Sequence, residues 1–407
     1  MLKITLLHYS SPPVVGGVES VMAHHARLLT DTGGHRVTIM AGRGEQIDPR
    51  IRFTHIPLMD SRHADILAVK KQLDQGIVPD EFYTLVEQLF ETLEANTAGE
   101  DLVIAHNIAS LNKNLPLTAA LEKLSRTCLS SPLILWHHDL AWTTPRYQKE
   151  LHPGYPWDLL KKPWQKAVQV VVSTLRQEEL AQLYGIDVDQ ILVIPNGLDI
   201  QRFYKLEEQT VSLVSRLALL DANPLLLLPV RVTRRKNIEL ALNTLFFLKE
   251  KFPRSALVVT GPIGPHNPTN VEYFSQLLAL RRDLHLDNAA YFLAEFSNEV
   301  LPDAVIADFY RLADALLFPS IEEGFGIPIL EAGLSGIPIF CSDIPPLRAL
   351  GGDMVDYFSP QSQPSQVAEL IFERLSKDPI FNLRTSIRSE YTWEKIYQTK
   401  ISPLINA

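Results

Sequence analysis

The chain has 407 residues, which is long enough for two domains with separate hydrophobic cores. Its 46% hydrophobic and 21% charged residues are typical of an ordinary globular protein. A net charge of −9 without a block of lysine and arginine argues against a nucleic-acid partner. Two distant cysteines imply no disulfide framework, and polar residues interrupt the longest apolar stretch, 217–230. We therefore expect a cytoplasmic protein without an integral membrane segment.

The N-terminal residues predict a strand, a loop and a helix, in that order. Residues 2–7 form a short apolar run, and Gly16 and Gly17 precede a segment whose apolar residues fall roughly at helical spacing. A Gly-Gly pair is a weak signal by itself, because most such pairs are ordinary turns.

Further strand-like runs follow, and most are separated by segments of helical length. This alternation predicts parallel sheets with helices on both faces, an α/β fold. A polar stretch, 204–212, separates two such series, so we place the domain boundary between about 197 and 222. The strand-like runs are residues 36–40, 102–106, 133–136, 169–173, 191–194, 225–230, 257–260, 337–341 and the short run that ends at Phe318.

Polar residues follow two of the first-half strands, where parallel sheets bind their ligands. They are His106 with Asn107, and His137 and His138 with Asp139. A histidine at a strand end is more often a hydrogen-bonded structural residue than a catalyst, and Asp139 can be simply a helix cap. The residues alone leave both interpretations open.

In the second half, Arg231 and Lys236 follow an apolar strand and precede a helix. At this separation both side chains can reach one diphosphate, although a solvated basic loop over 231–236 is the better interpretation of these residues in isolation. Gly261 stands at the end of the next strand, and His266 lies in the loop after it.

The stretch 318–336 has the order strand, glycine-bearing loop and helix. Gly324 and Gly326 allow close approach to the backbone, and Pro328 suits the first turn of a helix. Free N–H groups and the positive end of the helix dipole then converge, which favours an anion such as phosphate.

Two carboxylates bracket this loop, Glu323 on the loop itself and Glu331 in the helix. A carboxylate can accept hydrogen bonds from two hydroxyls, as when an acidic residue binds a ribose. The alternative is that Glu331 only complements the helix dipole and that Glu322 and Glu323 are a solvated pair.

Residues 319–331 closely resemble the Glu-x7-Glu signature of family 4 retaining glycosyltransferases of the GT-B fold. The resemblance implies that Glu323 contacts the donor sugar and that Glu331 contacts the ribose. It also implies that backbone amides between the two bind the sugar and the diphosphate, namely those of Phe325, Gly326 and Ile327.

Other landmarks of this family occur in the same order along the chain. The resemblance implies that Gly16 and Gly17 approach the donor phosphates and that His138, rather than His137, points at the donor sugar. It places Arg231 and Lys236 at the diphosphate, and Trp393 in a closing helix. We place His106 and Asn107 beside the acceptor. Gly261 is expected to let the nucleotide pass closely, and His266 can contact that nucleotide or the acceptor. Departures from the family pattern, at Leu293, Ala294 and Ala349, leave recognition of the base open.

The resemblance implies two Rossmann-like, doubly wound domains with a cleft between them. We assign 1–200 to the acceptor-side domain, onto which a C-terminal helix, 388–407, packs back, and 201–387 to the domain that binds the nucleotide sugar. The Asp-x-Asp sequence at 187–189 precedes a strand instead of following one, so we interpret it as a solvated loop and predict no catalytic metal and no cofactor.

The expected function is a retaining hexosyltransferase. It would move glucose or mannose from a UDP-, GDP- or ADP-linked donor to a hydroxyl of a saccharide or small-molecule acceptor, with attack from the leaving-group face. Catalysis would rest on His138, Glu323, Arg231 and Lys236. A sugar-nucleotide 2-epimerase of the same fold and a non-catalytic nucleotide-sugar-binding protein are the alternatives.

Overall fold

The computed structural model describes residues 1–263, 269–296 and 300–406. His266, which the sequence analysis singles out, lies outside these residues. The chain forms two compact units, one comprising Met1–Gly197 and Trp393–Ala407, the other Leu198–Thr392.

The first unit is built on a parallel sheet. Among the described residues its strands are β1 (Lys3–His8), β2 (Arg36–Ala41), β3 (Arg52–His55), β4 (Leu102–His106), β5 (Leu133–His137), β6 (Ala167–Val171) and β7 (Ile191–Val193). They lie in the order β3-β2-β1-β4-β5-β6-β7. The order reverses between β1 and β4, and ligands of doubly wound sheets bind at such a point.

Helices cover this sheet because each has one apolar face. In α3, for example, Phe82, Leu85 and Leu89 recur at helical spacing and are all buried. The helices of this part are α1 (Gly17–Asp31), α2 (Ala64–Leu73), α3 (Asp80–Thr97), α4 (Leu115–Thr127) and α5 (Thr174–Tyr184).

The second unit contains another parallel sheet. Its strands among the described residues are β8 (Leu225–Leu228), β9 (Ala256–Val259), β10 (Ala290–Phe292), β11 (Ala315–Phe318), β12 (Ile339–Ser342) and β13 (Asp356–Phe358). Their order is β10-β9-β8-β11-β12-β13, which reverses between β8 and β11. The inner strands are buried throughout, as expected for a parallel sheet covered on both faces.

The helices of the second unit follow the same alternation with strands. They are α6 (Ile200–Tyr204), α7 (Glu208–Arg216), α8 (Ile238–Lys251), α9 (Thr269–Asp283), α10 (Asp303–Leu312), α11 (Ile327–Leu334), α12 (Pro345–Gly351), α13 (Pro364–Ser376) and α14 (Pro379–Glu390).

The C-terminal residues belong to the first unit. They form α15 (Trp393–Ile396), a π-helical turn (Tyr397–Ile401) and α16 (Ser402–Ile405). Trp393 is 3% exposed, and its ring stacks on that of His24 of α1 with 5.0 Å between the centroids. The tryptophan thus anchors the chain terminus to the first unit.

The predicted α/β class, with two doubly wound parallel sheets, is confirmed. β6 begins two residues earlier than predicted. It also ends two residues earlier, at Val171, because Ser173 instead caps α5, accepting from the Arg176 N–H at 3.3 Å. β8 ends at Leu228, before Pro229, which has no N–H to donate to a ladder. The strands that the sequence analysis missed are β3, β10 and β13, and each lies at a sheet edge.

Within the described parts of the chain, no helix combines the length and the apolar character needed to cross a bilayer.

Candidate active site

In the second unit, the predicted donor residues converge at the reversal of strand order. Lys236 follows β8 and Glu323 follows β11, and these neighbouring parallel strands end at the same edge of the sheet. The Ile321 N–H donates to the Arg235 carbonyl at 2.8 Å and so ties the two loops together.

Lys236 and Glu323 form an ion pair. The Nζ of Lys236 donates to Oε1 of Glu323, and the two side chains are only 11% and 9% exposed. Nη1 of Arg235 lies 3.9 Å from the other carboxylate oxygen, and Nζ of Lys236 lies 5.5 Å from the ring centroid of Phe318. The sequence analysis predicted a role for each partner but neither their pairing nor the contribution of Arg235.

Arg231 is exposed on the same loop. The structure explains the nearby Gly261 in a way that differs from the prediction. A Cβ at position 261 would lie 2.6 Å from the backbone nitrogen of Arg231 and would also collide with the Val230 carbonyl. The glycine therefore makes room for the neighbouring loop of its own chain, and its predicted contact with a nucleotide stays a prediction.

The glycine-bearing loop leads into α11 as predicted. Gly326 has a φ of +106°, which only glycine adopts readily, and a Cβ there would lie 2.5 Å from Cδ2 of Leu347. A Cβ at Gly324, in contrast, would meet open space. Phe325 and Ile327 are 55% and 57% exposed, whereas Gly326 between them is buried. Such a helix start attracts anions.

Glu331 is exposed on α11, and a buried tyrosine holds it. The hydroxyl of Tyr310, on α10, donates to Oε2 of Glu331 at 2.6 Å, and Tyr310 is only 3% exposed. Burial, together with this hydrogen bond to a carboxylate, raises the pKa of Tyr310. Nothing in the sequence around Tyr310 indicates this contact.

In the first unit, histidines meet at the ends of β1, β4 and β5. Nδ1 of His8 lies 2.8 Å from the His106 carbonyl, and since a carbonyl only accepts, this nitrogen carries the proton. Nδ1 of His106 lies 3.1 Å from Nε2 of His138. His138 is half-buried, whereas His106 is fully buried. The sequence analysis singled out His106 and His138 but not His8.

Asn107 shapes the turn that carries His138. Its φ of 57° is a left-handed conformation that asparagine tolerates better than most residues. Its Oδ1 accepts from the backbone N–H of His138 at 2.7 Å and of Asp139 at 3.3 Å. Because His106 and Asn107 are 0% and 2% exposed, the structure assigns them contacts inside the unit. The predicted acceptor contacts of these two residues stay predictions.

His137 lies apart from this group. It is 1% exposed, and its Nε2 lies 2.9 Å from Oε1 of Gln169 on β6. Of the two neighbouring histidines, His138 is the more exposed, which agrees with the choice of His138 in the sequence analysis.

Burial keeps these histidines neutral at pH 7. It lowers the pKa of His8 and of His137 to about 4. It lowers the pKa of His138 to about 3, with a smaller effect from nearby histidines, and that of His106 well below its usual value. The His25 pKa, also lowered by burial, falls to about 3. These five histidines can therefore form hydrogen bonds but carry no positive charge at pH 7.

Gly16 precedes α1 and lies close to the side chain of Glu19, in the first turn of that helix. A Cβ at position 16 would lie 2.7 Å from Cδ of Glu19, whereas one at Gly17 would meet open space. Oε1 of Glu19 accepts from the hydroxyl of Ser10 at 2.6 Å and lies 3.9 Å from Nε2 of His8. The sequence analysis missed Glu19, whose position in the first turn of α1 is the signal that could have found it.

The Asp-x-Asp sequence lies in an exposed turn before β7. Oδ1 of Asp187 accepts from the Asp189 N–H at 3.3 Å and caps the 3-10 helix Val188–Gln190. Local backbone capping thus accounts for Asp187.

Two family descriptions together match most of the chain. "Glycosyltransferase Family 4" matches residues 15–202, and "Glycosyl transferases group 1" matches residues 215–390. The chain belongs to the group 1, family 4 glycosyltransferases. The first match includes Gly16, Gly17 and His138, and the second runs from before Arg231 to beyond Glu331.

Several curated glycosyltransferases resemble this one over most of its length. The chain is 26% identical to the mannosylglucosylglycerate synthase of Petrotoga mobilis, over 84% of this chain and 83% of that protein. The enzyme of that name from Thermotoga maritima is also 26% identical, over 85% and 83%. The MMP alpha-(1->4)-mannosyltransferase of Mycolicibacterium hassiacum is 24% identical, over 84% and 81%. The predicted family and the prediction of a hexosyltransferase are confirmed by these matches.

Proposed function

We propose that this glycosyltransferase moves a hexose from a nucleoside-diphosphate sugar to a hydroxyl of a small-molecule or saccharide acceptor, with retention of the anomeric configuration and without a metal ion. The observation that carries the proposal is the Lys236–Glu323 pair beside the start of α11. At one edge of the sheet, this pair provides an ammonium group that can bind a diphosphate and a carboxylate that can bind sugar hydroxyls.

The donor contacts follow from the chemistry of these groups. Lys236 and Arg231 supply positive charge to the diphosphate, and the backbone N–H groups at the start of α11 add to it. Glu323 exchanges its pairing with Lys236 for hydroxyls of the sugar. Glu331, held by Tyr310, accepts hydrogen bonds from the ribose.

Transfer breaks the bond between the anomeric carbon and the diphosphate oxygen, and the electron pair leaves with the diphosphate. Lys236, Arg231 and the helix dipole stabilise the negative charge that develops there. The acceptor oxygen forms the new bond on the same face of the sugar, and its proton passes to the departing diphosphate oxygen. His138, neutral because of its burial, contributes a hydrogen bond to a sugar hydroxyl.

The names of the relatives suggest which hexose to test first. All three names contain "mannosyl", whereas two of them also contain "glucosyl", so mannose is tested before glucose. The synthase names also make a small, hydroxylated, acidic glycoside a reasonable first acceptor class.

The experiment is a transfer assay with GDP-mannose, GDP-glucose, UDP-glucose and ADP-glucose against a panel of glycosides and free sugars, with and without EDTA. The expected result is one favoured donor, a product of unchanged anomeric configuration by NMR, and activity that survives EDTA. Lys236→Met and Glu323→Gln should each lower kcat/KM at least about 100-fold, since each removes a group that contacts the transition state. Lys251→Met, which breaks an exposed ion pair with Glu369, is the control.

Three results would overturn the proposal. Donor binding without a transferred sugar across the whole panel supports the binding protein instead. Conversion of the donor into its 2-epimer without an acceptor supports the epimerase. Loss of transfer in EDTA, restored by a divalent cation, contradicts the metal-independent mechanism.

A further inference from the structure

Tyr310 is a buried tyrosine that donates a hydrogen bond to a carboxylate at the surface. Its ring is in the interior of the second unit, at 3% exposure, yet its hydroxyl reaches an otherwise exposed carboxylate, Oε2 of Glu331, at 2.6 Å. The two residues lie on α10 and α11, the helices before and after β11. A rigid core residue is thereby joined to a flexible surface side chain.

The hydrogen bond leaves most of the carboxylate available. An ionised carboxylate has about four acceptor positions, and the tyrosine occupies one of them. Among the described residues, no other hydrogen bond to the Glu331 carboxylate is present. Its second oxygen, Oε1, is therefore free to accept from a ligand. Burial raises the pKa of Tyr310, so its hydroxyl keeps its proton and donates throughout the neutral range.

We propose that Tyr310 is a positioning residue that fixes the carboxylate of Glu331 for the 2′- and 3′-hydroxyls of a ribose, and so makes the site select ribonucleotides over deoxyribonucleotides. This inference rests on the proposed function. An exposed glutamate loses side-chain freedom when it binds a ligand, and the free energy of that ordering is subtracted from the affinity. Tyr310 orders the Glu331 side chain before a ligand binds. This raises the affinity only for a ligand that forms hydrogen bonds with the carboxylate.

The test compares ribonucleotides with their deoxy counterparts. Dissociation constants of UDP and GDP, and of 2′-deoxy-UDP and 2′-deoxy-GDP, are measured by calorimetry for the wild type and for Tyr310→Phe. The expected result is an affinity for the bound ribonucleotide that falls about 3- to 10-fold, because the Glu331 side chain must then be ordered when the ligand binds. Affinity for the deoxynucleotide should change less than twofold. In the transfer assay, KM for the donor should rise with little change in kcat.

Two further variants separate positioning from general damage. Tyr291→Phe also removes a tyrosine hydroxyl from the second unit, one that donates to the Asn288 carbonyl at 2.8 Å, and it should leave the ribose preference unchanged. Tyr310→Phe added to Glu331→Ala should have no further effect on nucleotide affinity, because the residue through which Tyr310 acts is then absent.

The outcomes distinguish this inference from the proposed function. A folded Tyr310→Phe protein that keeps the full ribose preference overturns the inference and leaves transfer intact. Tyr310→Leu, measured in parallel, must show the same loss of preference. A wild type that binds ribo- and deoxynucleotides equally overturns the inference and the proposed ribose contact of Glu331, but leaves the proposed transfer reaction standing. A wild type that binds none of UDP, GDP and ADP overturns both.

Discussion

Lys236 and Glu323 are 87 residues apart in the sequence, yet the ammonium group of one donates to the carboxylate of the other and both are about nine-tenths buried. A buried charge that loses its partner is far more costly than the pair itself is stabilising. We therefore expect Lys236→Met and Glu323→Gln to reduce the free energy of unfolding unequally. Lys236→Met leaves a buried carboxylate and should cost about 2–4 kcal/mol, and Glu323→Gln, which still offers an acceptor, about 1–3 kcal/mol.

The double variant separates stability from activity. Denaturant unfolding should show that Lys236→Met/Glu323→Gln is more stable than the sum of the single changes implies, whereas transfer activity stays lost in all three proteins. The exposed pair Lys251–Glu369 provides the reference, with a coupling of at most about 1 kcal/mol. Strict additivity at Lys236 and Glu323 would show that the pair is not formed in solution.

Asn107 should control activity through the backbone of His138. Asn107→Gly preserves the left-handed φ but removes the acceptor for the N–H groups of His138 and Asp139. We expect unfolding free energy to fall by about 1–3 kcal/mol and kcat/KM to fall about tenfold, since the buried donors lose their partner and the turn loosens. Unfolding and transfer are measured side by side. Transfer that stays at the wild-type level would show that the position of His138 does not matter to the reaction.

Alanine at the two loop glycines should affect stability to very different degrees. Gly326→Ala meets both a φ of +106° and the side chain of Leu347, so it should destabilise the protein by at least about 1–2 kcal/mol. Gly324→Ala extends into open space and should change the melting temperature little. If a donor approaches this loop, however, its affinity for Gly324→Ala should fall. Unchanged donor affinity in Gly324→Ala places the donor away from position 324.

As the pH is lowered, the first unit should begin to lose stability at a higher pH than protonation of its carboxylates alone would cause. The pKa values of His8 and His137 are lowered to about 4, and those of His25 and His138 to about 3. In the unfolded chain histidine titrates near 6.5, so between about pH 6.5 and 4 the unfolded state binds protons that the folded state does not. Stability must therefore fall as the pH falls, by up to about 1.4 kcal/mol per pH unit for each such histidine.

The measurement is the unfolding free energy between pH 7 and 5. His25→Asn should reduce the pH slope by about 1 kcal/mol per unit, whatever its effect on absolute stability, because one titrating residue is removed. His63→Asn is the control, since His63 is partly exposed at the start of α2 and asparagine also caps helices. A flat profile from pH 7 to 5 would contradict the neutral, buried state of the histidines.

The inner strands could be predicted because they are continuous apolar runs between loops, as in residues 225–228 and 315–318. The missed strands are short and lie at sheet edges. Arg52–His55, for example, is half-exposed and mixes charged with aromatic residues, so no apolar run or strict alternation marks it. An edge strand is specified largely by the neighbour that it pairs with, and that neighbour is distant in sequence.

The same distinction holds for the site. Glu331 and Lys236 were predicted as site residues because they belong to an ordered local pattern. Tyr310 and His8 take part through contacts across the fold, over 21 residues and 98 residues respectively, and no local pattern marks them. Their importance comes from the tertiary structure, which brings together strand ends that are distant in the chain.

The contact between Gly261 and the backbone of Val230 and Arg231 has a consequence for engineering. A library that diversifies the loop after β9 in search of a new donor preference will mostly return proteins with a displaced Arg231, because any side chain at position 261 collides with that backbone. Randomising the residues around Arg231 together with position 261 gives compensating changes a chance to appear. The two loops pack directly against each other at this position and should be redesigned together.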